Sequence, residues 1–167
     1  MSKQKKNALE SVLELGELSE IISRIKSKKG VVGICHGCFD VLHAGHLKHF
    51  EAASKLCDIL IVTVTPDQYI NKGPNRPVFP AEQRAELISG MACVDYVGVN
   101  KWASAIEMIN MLKPTILIKG QEYESNAEEV NPNFLEEKIA IEKIGGNVAF
   151  TYEWVSSSTA AIERMRR

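Results

Sequence analysis

The stretch Val31–Phe50, VVGICHGCFDVLHAGHLKHF, passes from a β-branched apolar run through a glycine-containing turn into the start of a helix. VVGIC suits a buried strand of a parallel sheet, where both faces are covered and apolar residues need not alternate with polar ones. His36-Gly37-Cys38-Phe39-Asp40 reads as the turn, and a helix is expected from Gly45 to Lys55. A strand, a tight turn and a helix N-terminus make an anion site, because unpaired backbone N–H groups and the positive end of the helix dipole face one space. Gly37 permits close approach of the backbone there, and Gly45 lets the chain pass tightly between two histidines. His43 and His46, three residues apart in the first helical turn, can both lean over that pocket.

The same alternation continues outward. Strands are expected at Ile59–Thr65, Tyr96–Val99, Ile116–Lys119 and Asn147–Phe150, with helices at Pro80–Met91, Ala103–Met111, Phe134–Ile144 and Ser158–Arg166. Strands and helices at this spacing predict right-handed crossovers and an α/β fold with a doubly wound, five-stranded parallel sheet. Before it, residues 9–25 carry apolar side chains at helical spacing, predicting one or two amphipathic helices broken near Gly16; Met1–Asn7 is polar and expected to fray. The expected organisation is an N-terminal helical extension over residues 1–30 and one domain over 31–167. Two long polar connections, Pro66–Pro80 and Gln121–Asn133, each follow a strand, and in an open parallel sheet such connections lie over the ligand crevice.

Composition narrows the chemistry. Twenty basic and twenty-one acidic residues in 167 leave a formal net charge of −1, so the global field favours neither nucleic acid nor a membrane surface, and an anionic ligand must be held locally. No apolar run suits a signal peptide or a bilayer span, which predicts a cytoplasmic chain. In a reducing compartment the four cysteines are expected as thiols, metal ligands or catalytic groups. Cys35, Cys38, His43 and His46 thus offer a competing zinc reading. Against it, Cys35 ends a strand that should be buried, and Cys57 and Cys93 form no second pair, so no protein metal ligand is assigned. A thioredoxin-like redox pair fits less well, since Cys38 continues into a turn and HxGH rather than directly into a helix.

Gly37-x-Phe39-Asp40 followed by His43-x-Gly45-His46 resembles the signature of the nucleotidyltransferase superfamily, which includes cytidylyltransferases and sugar-phosphate adenylyltransferases. The likeness extends through Thr65-x-Asp67, Lys72-Gly73, Arg76-Pro77-Val78, Glu82 with Arg84, Val94–Val97, Lys113-Pro114, Lys119-Gly120-x-Glu122-Tyr123, Gly145-Gly146 and the Ser156–Thr159 run. It spans about residues 31–160 and is greatest to the nucleotidyltransferase domain of bacterial heptose-phosphate enzymes, often fused to a sugar kinase. Glycerol-phosphate cytidylyltransferases carry an arginine and a glycine ahead of their Ile-Ser-Thr-Thr, where this chain has Thr151 and Trp154.

The resemblance implies transfer of a nucleoside monophosphate from ATP, or from CTP, to a sugar phosphate such as a heptose phosphate, releasing pyrophosphate for surface-polysaccharide synthesis. A polyol phosphate such as glycerol 3-phosphate is the alternative acceptor. Its implied catalytic groups are His43, His46, Lys72 and Arg84, which would hold and stabilise the triphosphate. Its implied nucleotide-binding groups are Gly37, Cys38, Phe39, Asp40, Gly45, Lys119, Gly120, Glu122, Ser156, Ser157, Ser158 and Thr159. Mg²⁺ would arrive with the nucleotide, and a homodimer is implied. Taken as residues alone, several of these keep a plainer reading. Asp40 either braces the turn or meets ligand, Arg84 suits a surface helix pair, Lys119 and Glu122 flank a strand end, and Ser156–Thr159 suits a helix cap. His36 and His49 are expected to be structural. A non-catalytic metal- or nucleotide-binding module is the competing class of function.

Overall fold

A computed structural model describes residues 8–125 and 133–153. The expected terminal helix Ser158–Arg166 and the Ser156–Thr159 run lie outside the described residues, as does Met1–Asn7. The described residues form five strands: β1 Val32–Gly37, β2 Ile59–Val64, β3 Tyr96–Val99, β4 Ile116–Gly120 and β5 Asn147–Thr151. All pair in parallel, in the order β3-β2-β1-β4-β5. Among the described residues six α-helices connect or flank them: α1 Leu15–Ser27, α2 Ala44–Ala53, α3 Ala81–Ser89, α4 Ile106–Leu112, the short α5 Glu122–Ser125 and α6 Phe134–Lys143.

Side chains along the central strands alternate between two faces with the two-residue period of an extended chain. Val32 and Ile34 of β1, Ile61 of β2 and Leu117 of β4 join Leu15, Leu18 and Ile22 of α1, Met108 and Ile109 of α4 and Ile141 of α6 in one core layer. Cys35, Leu60, Val62 and Ile118, on the opposite face, join Phe50 of α2 and Ala85 and Ile88 of α3 in the other. With both faces covered, β1 and β2 are mostly apolar, which is why they read as apolar runs, and the polar exceptions, His36 and Thr63, hydrogen-bond each other.

The N-terminal break falls at Val12–Glu14, not near Gly16. Leu13 donates its amide to Val97 O at 2.9 Å, so this segment lies along β3, and Val12 bridges Val97 in parallel. Glu14 then caps α1, its own amide donating to the Glu17 carboxylate at 2.9 Å. Gly16 sits inside the first turn with open space about it, so its missing side chain breaks nothing. The helix expected from Ala103 starts instead at Ile106, because the Asn100 side-chain amide donates to Trp102 O and Ser104 O and holds residues 100–104 as a turn.

Sheet growth reverses after β3: the chain returns past β1 and lays β4 on its other side. The carboxyl ends of β1 and β4 therefore bound the crevice where ligands bind in open α/β sheets. Gly37, at the end of β1, leads into α2, and Lys119-Gly120, at the end of β4, leads into α5.

Candidate active site

At the end of β1 the chain turns sharply. Phe39 adopts a positive φ of 48°, and its ring lies so close over Gly37 that a Cβ there would meet Phe39 Cζ at 2.9 Å. Phe39 is held in turn by edge contacts to Phe50 and His46, with ring centroids 5.2 and 5.5 Å away. This fixes the turn against α2 and delivers His43 to the N-cap position of that helix.

The two signature histidines share one arrangement. His43 Nδ1 accepts the Gly45 amide at 3.1 Å, and His46 Nδ1 accepts the His43 amide at 3.3 Å. An imidazole nitrogen that accepts carries no proton, so each ring, when neutral, bears its hydrogen on Nε2. The rings stack at 3.9 Å between centroids. Burial, then the neighbouring His43, His49 and Lys72, push the His46 pKa down to about 3, and burial also lowers that of His43. Both rings are therefore neutral at pH 7 and present Nε2–H donors. His43 Nε2 is buried with no hydrogen-bond partner among the described residues. Such a group is costly unless an acceptor meets it, and a phosphate oxygen at the α2 N-terminus is the acceptor the site suits.

Arg84 and Asp40 do something different from the two histidines. Arg84, on α3, is fully buried. Its Nε donates to Phe79 O at 2.9 Å, Nη1 to Cys38 O, and Nη2 both to Thr65 O at 2.8 Å and to the Asp67 carboxylate at 2.6 Å. One guanidinium thus ties the β1 turn, the end of β2 and the chain entering α3. Asp40, also buried, accepts the Arg76 guanidinium on one oxygen and the amides of Val78 at 2.6 Å and Phe79 at 3.2 Å on the other. Burial alone would raise its pKa, but the bonds from Arg76, Phe79 and Val78 and the Arg76 charge hold it below the usual carboxylate range. Both groups are committed to the scaffold that joins the phosphate turn to the connection 66–80.

That connection carries Lys72, which is exposed and lies near enough to act electrostatically on Cys38 and His46. Gly73, at φ 100°, and Asn75, at φ 60°, shape the bend that follows it. Cys38 gives its carbonyl to Arg84, and Gly45 is buried under the first turn of α2. The turn therefore brings together Gly37, Cys38, Phe39, Asp40, His43, Gly45 and His46, with Lys72 at its rim. Lys119, Gly120 and Glu122 lie at and just beyond the end of the neighbouring strand β4, where the Lys119 charge reaches His36 and His49. Among the described residues no group of three or more His, Cys, Asp or Glu is placed to hold a metal ion. Cys35 lies wholly in the core below the turn.

Sequence reasoning passed over two groups. Arg76, within the quoted Arg-Pro-Val motif, is the partner that occupies Asp40. Glu137 pairs with Lys119 at 2.7 Å, both side chains being 3% exposed. A signal for it existed, because Glu137 stands on the apolar stripe of α6 with Phe134 and Ile141, where an acid needs a partner. The two histidines expected to be structural are half-buried in hydrogen-bonded sites, His36 Nδ1 2.9 Å from Thr63 Oγ1 and His49 Nδ1 2.7 Å from Thr151 Oγ1.

Residues 34–164 match the family described as cytidylyltransferase-like. The chain is 38% identical over 133 residues to a bifunctional protein HldE of Trichlorobacter lovleyi, a match covering 78% of this chain and 26% of that one. It is 35% identical over 158 residues to a bifunctional protein HldE of Helicobacter pylori, covering 93% of this chain and 31% of that one. The chain thus spans less than a third of the length of these relatives. In fold it is similar to a solved lipopolysaccharide core biosynthesis protein from Thermoplasma volcanium, with a TM-score of 0.61 at 23% identity over 75% of this chain and 99% of that one. The chain belongs to the cytidylyltransferase-like family of nucleotidyltransferase enzymes.

Proposed function

We propose that the chain transfers a nucleoside monophosphate, AMP in preference to CMP, from the triphosphate to a heptose phosphate and releases pyrophosphate, in the assembly of a surface polysaccharide. The observation that carries this reading is the pair of neutral imidazoles at the start of α2, both with Nδ1 occupied by backbone amides and Nε2–H left for an anion. The relatives named bifunctional protein HldE support the sugar-phosphate acceptor.

The chemistry suits such a site. A phosphate oxygen of the acceptor forms a bond to the α-phosphorus in line with the departing oxygen, and the bond from the α-phosphorus to the α,β-bridging oxygen breaks, its electron pair leaving with pyrophosphate. The nucleophile is already an anion, so no general base is needed, and catalysis consists of positioning and charge stabilisation. His43 and His46 donate to the triphosphate, the amides at the start of α2 add their partial charge, and Lys72 closes on the phosphates from its exposed connection. Asp40 and Arg84 keep the turn and that connection in register. Mg²⁺, if carried in by the nucleotide, would supply charge neutralisation at the phosphates; Asp40 is engaged with Arg76 and no group of three or more acidic, His or Cys side chains among the described residues would hold the ion, so its ligands would be phosphate oxygens and water. The homodimer belongs to the same proposal and is tested by sedimentation.

The thermal midpoint with Mg²⁺ and each of ATP, CTP, GTP and UTP tests the nucleotide half without knowledge of the acceptor. A ligand at a hundred times its Kd adds about 2.7 kcal/mol, or about 5–11 °C for a domain of this size. A shift of that order with one triphosphate chooses the base. No shift with any of them, together with stoichiometric zinc in the purified protein, would replace the enzyme by a metal-binding module.

A further inference from the structure

The connection leaving β4 rejoins the fold at α6, and one buried ion pair ties its two ends. Lys119 precedes Gly120 at the end of β4, and Glu137 lies in the first turn of α6. The Lys119 ammonium also sits 4.9 Å from the centre of the Tyr123 ring and 5.9 Å from that of Phe134. Two charges taken this far from water gain little net stability over well-packed apolar side chains of similar volume. Stability alone does not account for the pair.

Its place suggests another reason. Pairing cancels most of the ammonium's attraction for phosphate, which separates Lys119 from the exposed Lys72. Yet Lys119 is near enough to the crevice to act on His36 at the end of β1 and on His49 of α2, adding to the effect of burial in lowering both. Directly after it, Gly120 leaves its backbone bare beneath the Glu122 carboxylate, which folds back onto the end of β4 where any Cβ would collide with it. A triphosphate held at the start of α2 directs the rest of a nucleotide across the switch point, toward β4.

We propose that Glu137 is a positioning residue for nucleoside recognition. By anchoring Lys119 it fixes the turn Gly120–Tyr123, so that the Glu122 carboxylate stands ready to accept from a hydroxyl or amino group of the nucleoside. This rests on the nucleotidyltransferase reading of the site, and it separates the machinery into a phosphate end at α2 and a nucleoside end at β4.

Titration calorimetry on wild type, Glu137→Gln and Lys119→Met/Glu137→Met tests it, using two probes. One is whichever of the four Mg²⁺-bound triphosphates wild type binds most tightly; the other is inorganic tripolyphosphate. Both variants should raise the Kd for the nucleotide by about tenfold or more, the scale of a misplaced charged hydrogen bond. Tripolyphosphate should stay within about twofold, as for a distant independent site, and the double variant should melt near wild type. Unchanged nucleotide affinity overturns the proposal, as does parallel weakening of tripolyphosphate, which would mark a merely structural lesion. If the double variant fails to fold, Glu137→Gln decides by the same two constants. A protein that shows the expected pattern yet never releases pyrophosphate with a phosphorylated sugar sinks the transfer reaction and leaves this inference standing; one that binds no nucleoside triphosphate sinks both.

Discussion

Replacing Arg84 by methionine separates two roles that the motif alone assigns to one residue. If Arg84 is a triphosphate ligand, its loss should damage turnover and leave folding alone. The structure argues otherwise: the guanidinium is fully buried and donates to three main-chain carbonyls and one carboxylate. Asp67 is 43% exposed on its side chain, so water replaces much of that ion pair. The carbonyls of Cys38, Thr65 and Phe79 are the larger loss, at about 1 kcal/mol each when left part-buried without a donor, or about 3 kcal/mol in all. For a domain of this size that lowers the thermal midpoint by about 6–12 °C. Methionine fills similar space, which keeps a cavity from adding to the figure. Arg84→Lys should fail almost as badly, because a point charge cannot replace a fork that reaches three strands of chain. Differential scanning calorimetry of the apo protein reads this directly. A midpoint within about 2 °C of wild type, joined to a large loss of turnover, would refute the reasoning and return Arg84 to the phosphates.

Further outcomes follow from the same geometry. His46→Ala should lower kcat by about 100-fold or more, the scale of losing one charge-stabilising donor, while the melting curve stays close to wild type; near-normal turnover would overturn its role. Protonation should destabilise the fold: His36 and His46 have pKa values near 3 and His49 near 4 through burial first, against an ordinary value of 6.5. Each binds fewer protons folded than unfolded, so this stability is complete above about pH 6.5 and is lost as pH falls toward 3 or 4, by up to about 2 kcal/mol per ring at pH 5. A urea midpoint that does not fall between pH 7.5 and pH 5 would contradict it. Gly37→Ala, whose new Cβ would meet the Phe39 ring at 2.9 Å, should displace that ring and weaken triphosphate binding, read as a smaller thermal shift with Mg²⁺-nucleotide than wild type gives.

The sheet was readable because its strands are buried on both faces and therefore spell themselves as apolar runs: Tyr96–Val99 was expected at the bounds the structure gives it. The phosphate turn was readable too, since strand, glycine, histidine cap and helix are consecutive. What periodicity does not carry is pairing between residues far apart. Arg84 meets Cys38 across 46 positions and Asp40 meets Val78 across 38, and neither bond leaves a local pattern. Lys119 looked like a crevice lysine because its counter-ion lies beyond a long connection, although an acid on the buried stripe of α6 was the visible clue. The Gly16 expectation failed for a different reason: a helix begins where its first amides find acceptors, here at Glu14, and a glycine inside the first turn costs too little to stop it.

The most direct test of the account follows phosphorus. With Mg²⁺, a nucleoside triphosphate and a heptose phosphate, ³¹P NMR should show pyrophosphate appearing together with the two coupled resonances of a nucleoside diphosphate-sugar, only when both substrates are present, and His46→Ala should slow both signals alike. Release of inorganic phosphate instead of pyrophosphate would contradict attack at the α-phosphorus, and pyrophosphate formed at the same rate without any phosphorylated acceptor would show water taking the acceptor's place and contradict transfer to a sugar phosphate.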